Sequence, residues 1–249
     1  MDIEGRIALV TGANRGLGKA YVAALLAAGA AKVYAGTREP VASTDPRLVP
    51  VKLDVTAPAD VAAAATACGD VDLLINNAGV MLLTPALVPD SDAAMRREME
   101  VNVYGVLAMM QAFAPILARN GNENGGSAIV NMLSVVSWFT YPLNATYCAS
   151  KHAALAITEG ARIQLKAQGT RVLGVYAGFI DTDMAAGIEQ PKTSPQQVAE
   201  RALEGLRAGK DHVLADERAE YIWKMTRTDP AQLAANMQQI WDQTVAAKT

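Results

Sequence analysis

The 249-residue sequence predicts a single α/β domain, a parallel sheet covered by helices on both faces. Three observations lead there. Short apolar runs alternate with longer helical patterns, as strands joined by crossover helices do. The first of these runs is apolar on successive residues, which suits a strand buried on both faces. A glycine-rich turn then separates that run from the helical pattern that follows it.

Taken in order, strands are expected at 7–11, 32–35, 48–53, 73–75, 128–132, 171–175 and 212–214, with helices at 16–28, 58–67, 92–118, 145–168 and 195–208. Ile7-Ala-Leu-Val10 opens the sheet. Ala20, Leu25 and Leu26 give the first helix an inner face, and Gly29 stops it. The Ala62–Ala65 run has high helix propensity. Asn120 to Gly126 reads as a polar turn before a strand. Ser194 is the expected N-cap of the helix at 195–208, with Pro195 at its first position. From about Asp216 the alternation stops, and 216–249 is expected to be a C-terminal helical extension of the one domain 1–249. Asp229-Pro-Ala-Gln232 is a helix start, after which Leu233, Met237, Ile240, Trp241 and Val245 share a face. Trp223 and Trp241 lie in this tail, which either packs on its own domain or borders a substrate pocket or a subunit interface.

Composition narrows the function classes. Apolar residues make up 51% and charged residues 19%, the balance of a globular enzyme. A net charge of −3 and a pI near 5.5 argue against a nucleic-acid or anionic-membrane surface. Cys68 and Cys148 are too few for a disulfide framework or a metal site, and Cys148 is expected to pack inward. His152 and His212 lack clustered partners, so no metal is expected. Residues 101–118 are apolar, but Asn102, Gly105, Gln111 and Pro115 interrupt them, so no membrane span is expected. The first residues lack the basic region and cleavage site of a signal peptide, and the expected location is cytoplasmic.

The chemistry is concentrated in two places. If Tyr147 lies in a helix, its phenol and the Lys151 ammonium four residues on share a face. A phenol of ordinary pKa about 10 is a poor proton donor near neutrality, and a nearby cation is expected to lower it. Ser134, thirteen residues upstream of Tyr147, is placed to hold a substrate oxygen. At the other place, Gly12, Gly16 and Gly18 make a turn that lets a phosphate approach the backbone at the N-terminus of the first helix.

Together these features resemble the short-chain dehydrogenase/reductase family. Thr11-Gly-Ala-Asn-Arg-Gly-Leu-Gly18 is similar to the family's cofactor loop, Asn76-Asn-Ala-Gly79 to the motif after its fourth strand, and Asn102 to its helix asparagine. Ser134, Tyr147 and Lys151 are similar to its catalytic serine, tyrosine and lysine. The likeness runs from about Arg6 to Met184. Two departures stand out: Ala177-Gly178 replaces the usual Pro-Gly, and Leu133 occupies a slot that often holds serine. The resemblance implies a Rossmann-type doubly wound parallel sheet of about seven strands. It also implies hydride transfer at a carbonyl carbon, without a metal, with Tyr147 as proton donor, Ser134 polarising the carbonyl and Asn102 holding a water that links Lys151 to solvent.

The nucleotide is expected along Gly12, Asn14, Arg15, Gly16, Leu17 and Gly18, then Asp54, Val55, Asn76, Ala78 and Gly79. Its nicotinamide end is expected near Tyr147, Lys151, Ala177, Gly178, Ile180 and Thr182. An acid ending the second strand would select NAD. Val33-Tyr-Ala-Gly-Thr-Arg38 has none there, and Arg38 with Arg15 suits a 2′-phosphate, so NADP(H) is expected over NAD. Val136, Trp138 and Met184 are expected to border an apolar or aromatic ketone or aldehyde. The expected activity is NADPH-dependent carbonyl reduction. The alternatives are an NAD-dependent alcohol dehydrogenase and a nucleotide-binding redox sensor. A homodimer or homotetramer through the two long helices is the expected assembly.

Overall fold

The computed structural model describes residues 1–246; residues 247–249 of the predicted C-terminal extension lie outside the described residues. Seven strands form one sheet in the order β3-β2-β1-β4-β5-β6-β7. They are β1 Ile7–Thr11, β2 Lys32–Thr37, β3 Leu48–Lys52, β4 Leu73–Asn76, β5 Ser127–Met132, β6 Thr170–Tyr176 and β7 His212–Leu214. Every pairing is parallel. The helices are α1 Gly16–Ala27, α2 Pro58–Ala67, α3 Ser91–Met99, α4 Val106–Asn124, α5 Ala145–Leu165, α6 Pro195–Arg207, α7 Glu217–Thr228 and α8 Pro230–Ala246. This is the predicted doubly wound Rossmann-type domain.

Each sheet face buries its own apolar layer. On one side Val10, Ile75 and Val175 pack against Tyr21 and Leu25 of α1 and Val198 and Leu206 of α6. On the other, Leu9, Leu74 and Ile129 meet Val61 of α2 and Met109, Phe113 and Leu117 of α4. Phe113 and Leu117 are fully buried, each stabilising the fold by roughly 1.5–3 kcal/mol relative to an exposed side chain. A third cluster, containing Leu133, Phe139, Tyr176, Ile222 and Leu233, sits beneath α7 and α8. Strand order reverses between β1 and β4, which opens a crevice at their carboxyl ends.

The structure corrects three boundaries. The long helix expected over 92–118 is α3, a π-helical turn at Glu100–Gly105, and then α4. It continues through the expected polar turn to Asn124, because Asn120 Nδ2 donates to the carbonyls of Gly69 and Val71, at 3.1 and 2.8 Å. Gly125, at φ 74°, stops it in the left-handed region. Residues 217–228, expected only as part of a tail, form α7, whose N-cap Asp216 accepts from Ala219 N. Ser194 caps α6 as expected, accepting from Gln197 N. Ser91–Glu123 is long and apolar enough to cross a membrane by length and composition, but 50% of its most apolar window is buried inside the protein.

Candidate active site

The glycine turn after β1 forms one wall of a cleft of about 730 Å³. Gly12 and Gly16 have φ of 68° and 51°, in the left-handed region that side chains disfavour. A Cβ on Gly18 would collide with the Gly12 carbonyl oxygen. Thr11 ties this turn to β4: its Oγ1 accepts from Asn77 N and Ala78 N, both at 3.0 Å. Asn77 Nδ2 donates to Thr11 O at 2.9 Å. No side chain caps α1 at Arg15, so its first N–H groups remain available to an anion. A bare, uncapped helix start beside glycines that tolerate no Cβ fits a nucleotide diphosphate.

The structure brings Gly12, Asn14, Arg15, Gly16, Leu17, Gly18, Arg38, Asp54 and Val55 to this cleft, together with Ala78 and Gly79. Asn14 Nδ2 donates to Glu39 O at 2.7 Å, tying the turn to the end of β2. Asp54 Oδ1 accepts from Thr56 N and Oγ1, and these bonds, with Arg38 and Arg97 adding charge, hold its carboxyl below the usual range. Arg15 pairs with Asp183 at 3.4 Å, with both side chains largely in solvent. A pair so exposed contributes little and yields readily to a better anion. Asn76 departs from expectation. As the last residue of β4 it points into the sheet, is buried, and donates to Asn131 Oδ1 at 2.9 Å. Asn77 takes the place along the cleft that was expected of it.

Ser134, Tyr147 and Lys151 line the same cleft farther along. Ser134 follows β5 and caps a 3₁₀ turn, Val135–Ser137. Its hydroxyl donates to Ala177 O at 3.4 Å, which orients it from β6. Tyr147 and Lys151 share the inner face of α5, with Nζ 5.6 Å from the ring centroid. Lys151 Nζ donates to Met132 O at 2.9 Å.

The expected electrostatic tuning is corrected here. Burial raises the Tyr147 pKa, with Cys148 and Glu98 adding to the rise and a hydrogen bond with Ser134 opposing it. Burial also pulls the Lys151 ammonium down to about 8. Both groups lose water together, and this desolvation outweighs any help the ammonium gives the phenolate. Near neutrality Tyr147 therefore holds its proton.

Asn102 sits in the π-helical turn, a feature common at functional sites. Its side chain is buried and grips Val80 at both ends, accepting from Val80 N and donating to Val80 O, each at 2.9 Å. It also donates to Ser150 Oγ at 3.0 Å, and that hydroxyl donates to Tyr147 O. The side-chain amide is committed to the Val80 main chain and Ser150. Asn102 is a positioning residue that couples the Val80 loop to the helix carrying Tyr147.

On the substrate side, Val136 and Met184 line the cleft, as do Ala177, Gly178, Ile180 and Thr182. Trp138 does not. It stacks on Tyr176 with centroids 4.1 Å apart and meets Trp223 edge-on at 4.7 Å. It thus belongs to a separate groove of about 430 Å³ with Leu233, Met237 and Trp241 of α8. Cys148 packs inward as expected, its sulfur between Tyr141 N and O. Thr37, Arg97, Asn144 and Arg218 also line the cleft and were not anticipated. Asn144 Oδ1 is buried without a partner among the described residues, an acceptor that a ligand donor would satisfy. Among the described residues no cluster of three or more His, Cys, Asp or Glu could hold a metal ion.

The sequence profile of short chain dehydrogenases matches residues 6–193. The chain belongs to the short-chain dehydrogenase family. With the family comes oxidoreductase chemistry at carbinol and carbonyl groups and a nicotinamide-nucleotide site. The chain is similar to a short chain dehydrogenase from Burkholderia cenocepacia solved with NADP, at 43% identity and a TM-score of 0.90 over 95% of this chain and 99% of that one. It is 32% identical to a sorbitol dehydrogenase of Cereibacter sphaeroides across 76% of each chain. It is 33% identical to the short chain dehydrogenase tazN of Aspergillus terreus over 76% of this chain, a stretch that spans 44% of that longer protein.

Proposed function

We propose that this protein is an NADPH-dependent carbonyl reductase that converts an apolar or aromatic ketone or aldehyde to its alcohol. The observation that carries this reading is a single cleft, walled at one end by the glycine turn and at the other by Ser134, Tyr147 and Lys151. A nicotinamide nucleotide bound there supplies the hydride. Ser134 Oγ gives up its long 3.4 Å bond to Ala177 O and turns its one proton to the carbonyl oxygen. Tyr147, on the same cleft wall, gives that oxygen its proton. Lys151, fixed by Met132 O, places its ammonium beside the same helix face, where it returns a proton to the phenolate left behind.

Preference for NADPH is supported by Arg38, which lines the cleft at the end of β2 with Arg15 and Arg97 nearby on its walls. A 2′-phosphate suits several guanidiniums. Glu39, also on the cleft wall, favours NAD. Comparing kcat/KM with NADPH and NADH, in the parent and in Arg38→Asp, decides between them. The parent is expected to favour NADPH by at least roughly tenfold and the variant to lose that preference, an effect of about 1.4 kcal/mol or more. An unchanged preference in Arg38→Asp would contradict the assignment.

A further inference from the structure

Arg218 enters the cleft from α7, outside the segment that resembles the family. Its stem lies across Gly178: a Cβ there would come within 2.6 Å of Arg218 Cδ, so only glycine admits this side chain. Gly178 follows Ala177, whose carbonyl accepts from Ser134 Oγ, so the arginine stem and Ser134 contact adjacent residues of the segment after β6. The guanidinium rests 4.8 Å from the centroid of the Phe179 ring, and one of its nitrogens donates to Gln190 Oε1 at 2.6 Å. Both neighbours are neutral. Among the described residues Arg218 has no carboxylate within ion-pair distance, although much of its side chain is buried. Asp216, two positions earlier, lies near enough to favour the guanidinium's charge but makes no hydrogen bond to it: its oxygens accept from Gly178 N, Ala219 N and Thr193 Oγ1.

Half-buried charges are ordinarily paired, and a planar guanidinium matches a carboxylate through two parallel hydrogen bonds. The other cleft cations stand elsewhere on its walls: Lys151 holds Met132 O, Arg15 pairs with Asp183, and Arg38 and Arg97 lie on the Asp54 side. One fork without a second cation beside it suits a carboxylate monoanion better than a phosphate dianion.

We propose that Arg218 is a specificity residue that binds a carboxylate on the substrate, so that the compound reduced is an apolar or aromatic keto acid or aldehyde acid. This rests on the carbonyl-reductase reading, and its test includes an arm that needs no turnover.

The protein, saturated with NADP, is titrated calorimetrically with benzoate and with neutral benzamide. The parent is expected to bind benzoate at least tenfold more tightly, and Arg218→Gln to abolish that difference while its NADP affinity stays within twofold. In turnover with NADPH, kcat/KM for 4-acetylbenzoate is expected to fall roughly a hundredfold in Arg218→Gln, while its methyl ester is unaffected. Gln190→Ala, which leaves the guanidinium in place, should keep the preference for the acid. Equal binding of benzoate and benzamide by the parent would overturn the proposal. So would a loss in Arg218→Gln shared by acid and ester, the mark of a strut for the 179–193 segment, or a loss confined to NADP affinity. If no carbonyl compound is turned over yet benzoate binding depends on Arg218, the reductase reading fails and the carboxylate site stands.

Discussion

The two ends of the cleft are made in different ways. At the nucleotide end the phosphate seat is main chain: glycines at positive φ and an uncapped helix start, all within residues 12–18. The substrate end is side chains gathered from far apart, with Val136 after β5, Met184 after β6 and Arg218 on α7. A main-chain site serves a ligand shared by a whole family, because its shape follows from the sheet order. A side-chain site can change without disturbing the sheet, and there the protein sets its own specificity.

If that contrast is right, damage at the nucleotide end removes function outright. Gly18→Val places a side chain against the Gly12 carbonyl. The expected outcome is loss of measurable NADPH binding by fluorescence titration with the sheet still folded by circular dichroism, since a clash with main chain has no easy relief. Normal binding would show that the turn is not the nucleotide's seat.

Trp138 sharpens the contrast from the other side. It is near the substrate end in sequence but packs on Tyr176 and Trp223 in the α8 groove. Trp138→Ala is expected to cost roughly 2–4 kcal/mol of stability in urea unfolding. KM for an apolar ketone should stay within about twofold. A large KM change with little loss of stability would return Trp138 to the substrate wall.

The smallest effect concerns pH. Lys151 has a folded pKa of about 8 against an ordinary value of 10.5. Between these values the unfolded chain holds a proton the folded one has released, so stability rises with pH across that window. The contribution is on the order of 1–3 kcal/mol. Urea unfolding at pH 7.5 and pH 10 should show the parent gaining on Lys151→Met over this range. Parallel curves would mean that Lys151 is not desolvated.

Much of the fold was legible because each element carried its own local signal. Consecutive apolar residues marked β1, Gly29 marked the end of α1, and Ser194 with Pro195 marked the start of α6. Asn124 was read as a turn residue because the bonds that extend α4 come from Asn120 to Gly69 and Val71, about fifty positions away. The misplaced site residues have equally physical causes. Asn76 and Asn77 are adjacent and identical, and only strand parity tells that the first faces the sheet. Asn102 was marked only by its likeness to the family's helix asparagine, because its partners on Val80 and Ser150 are tertiary. Arg218 had no motif at all; it reaches the cleft because α7 folds back beside Gly178. Desolvation of Tyr147 and Lys151 is likewise a property of the packed cleft, which residue spacing does not encode.

The most direct test of the account is the rate of NADPH oxidation with a panel of aromatic and aliphatic ketones, in the parent and in Tyr147→Phe. The account predicts that kcat falls by roughly 10²–10⁴ in the variant while NADPH affinity changes far less, because the phenol's main part is to donate the proton. Equal turnover by the two proteins would contradict it.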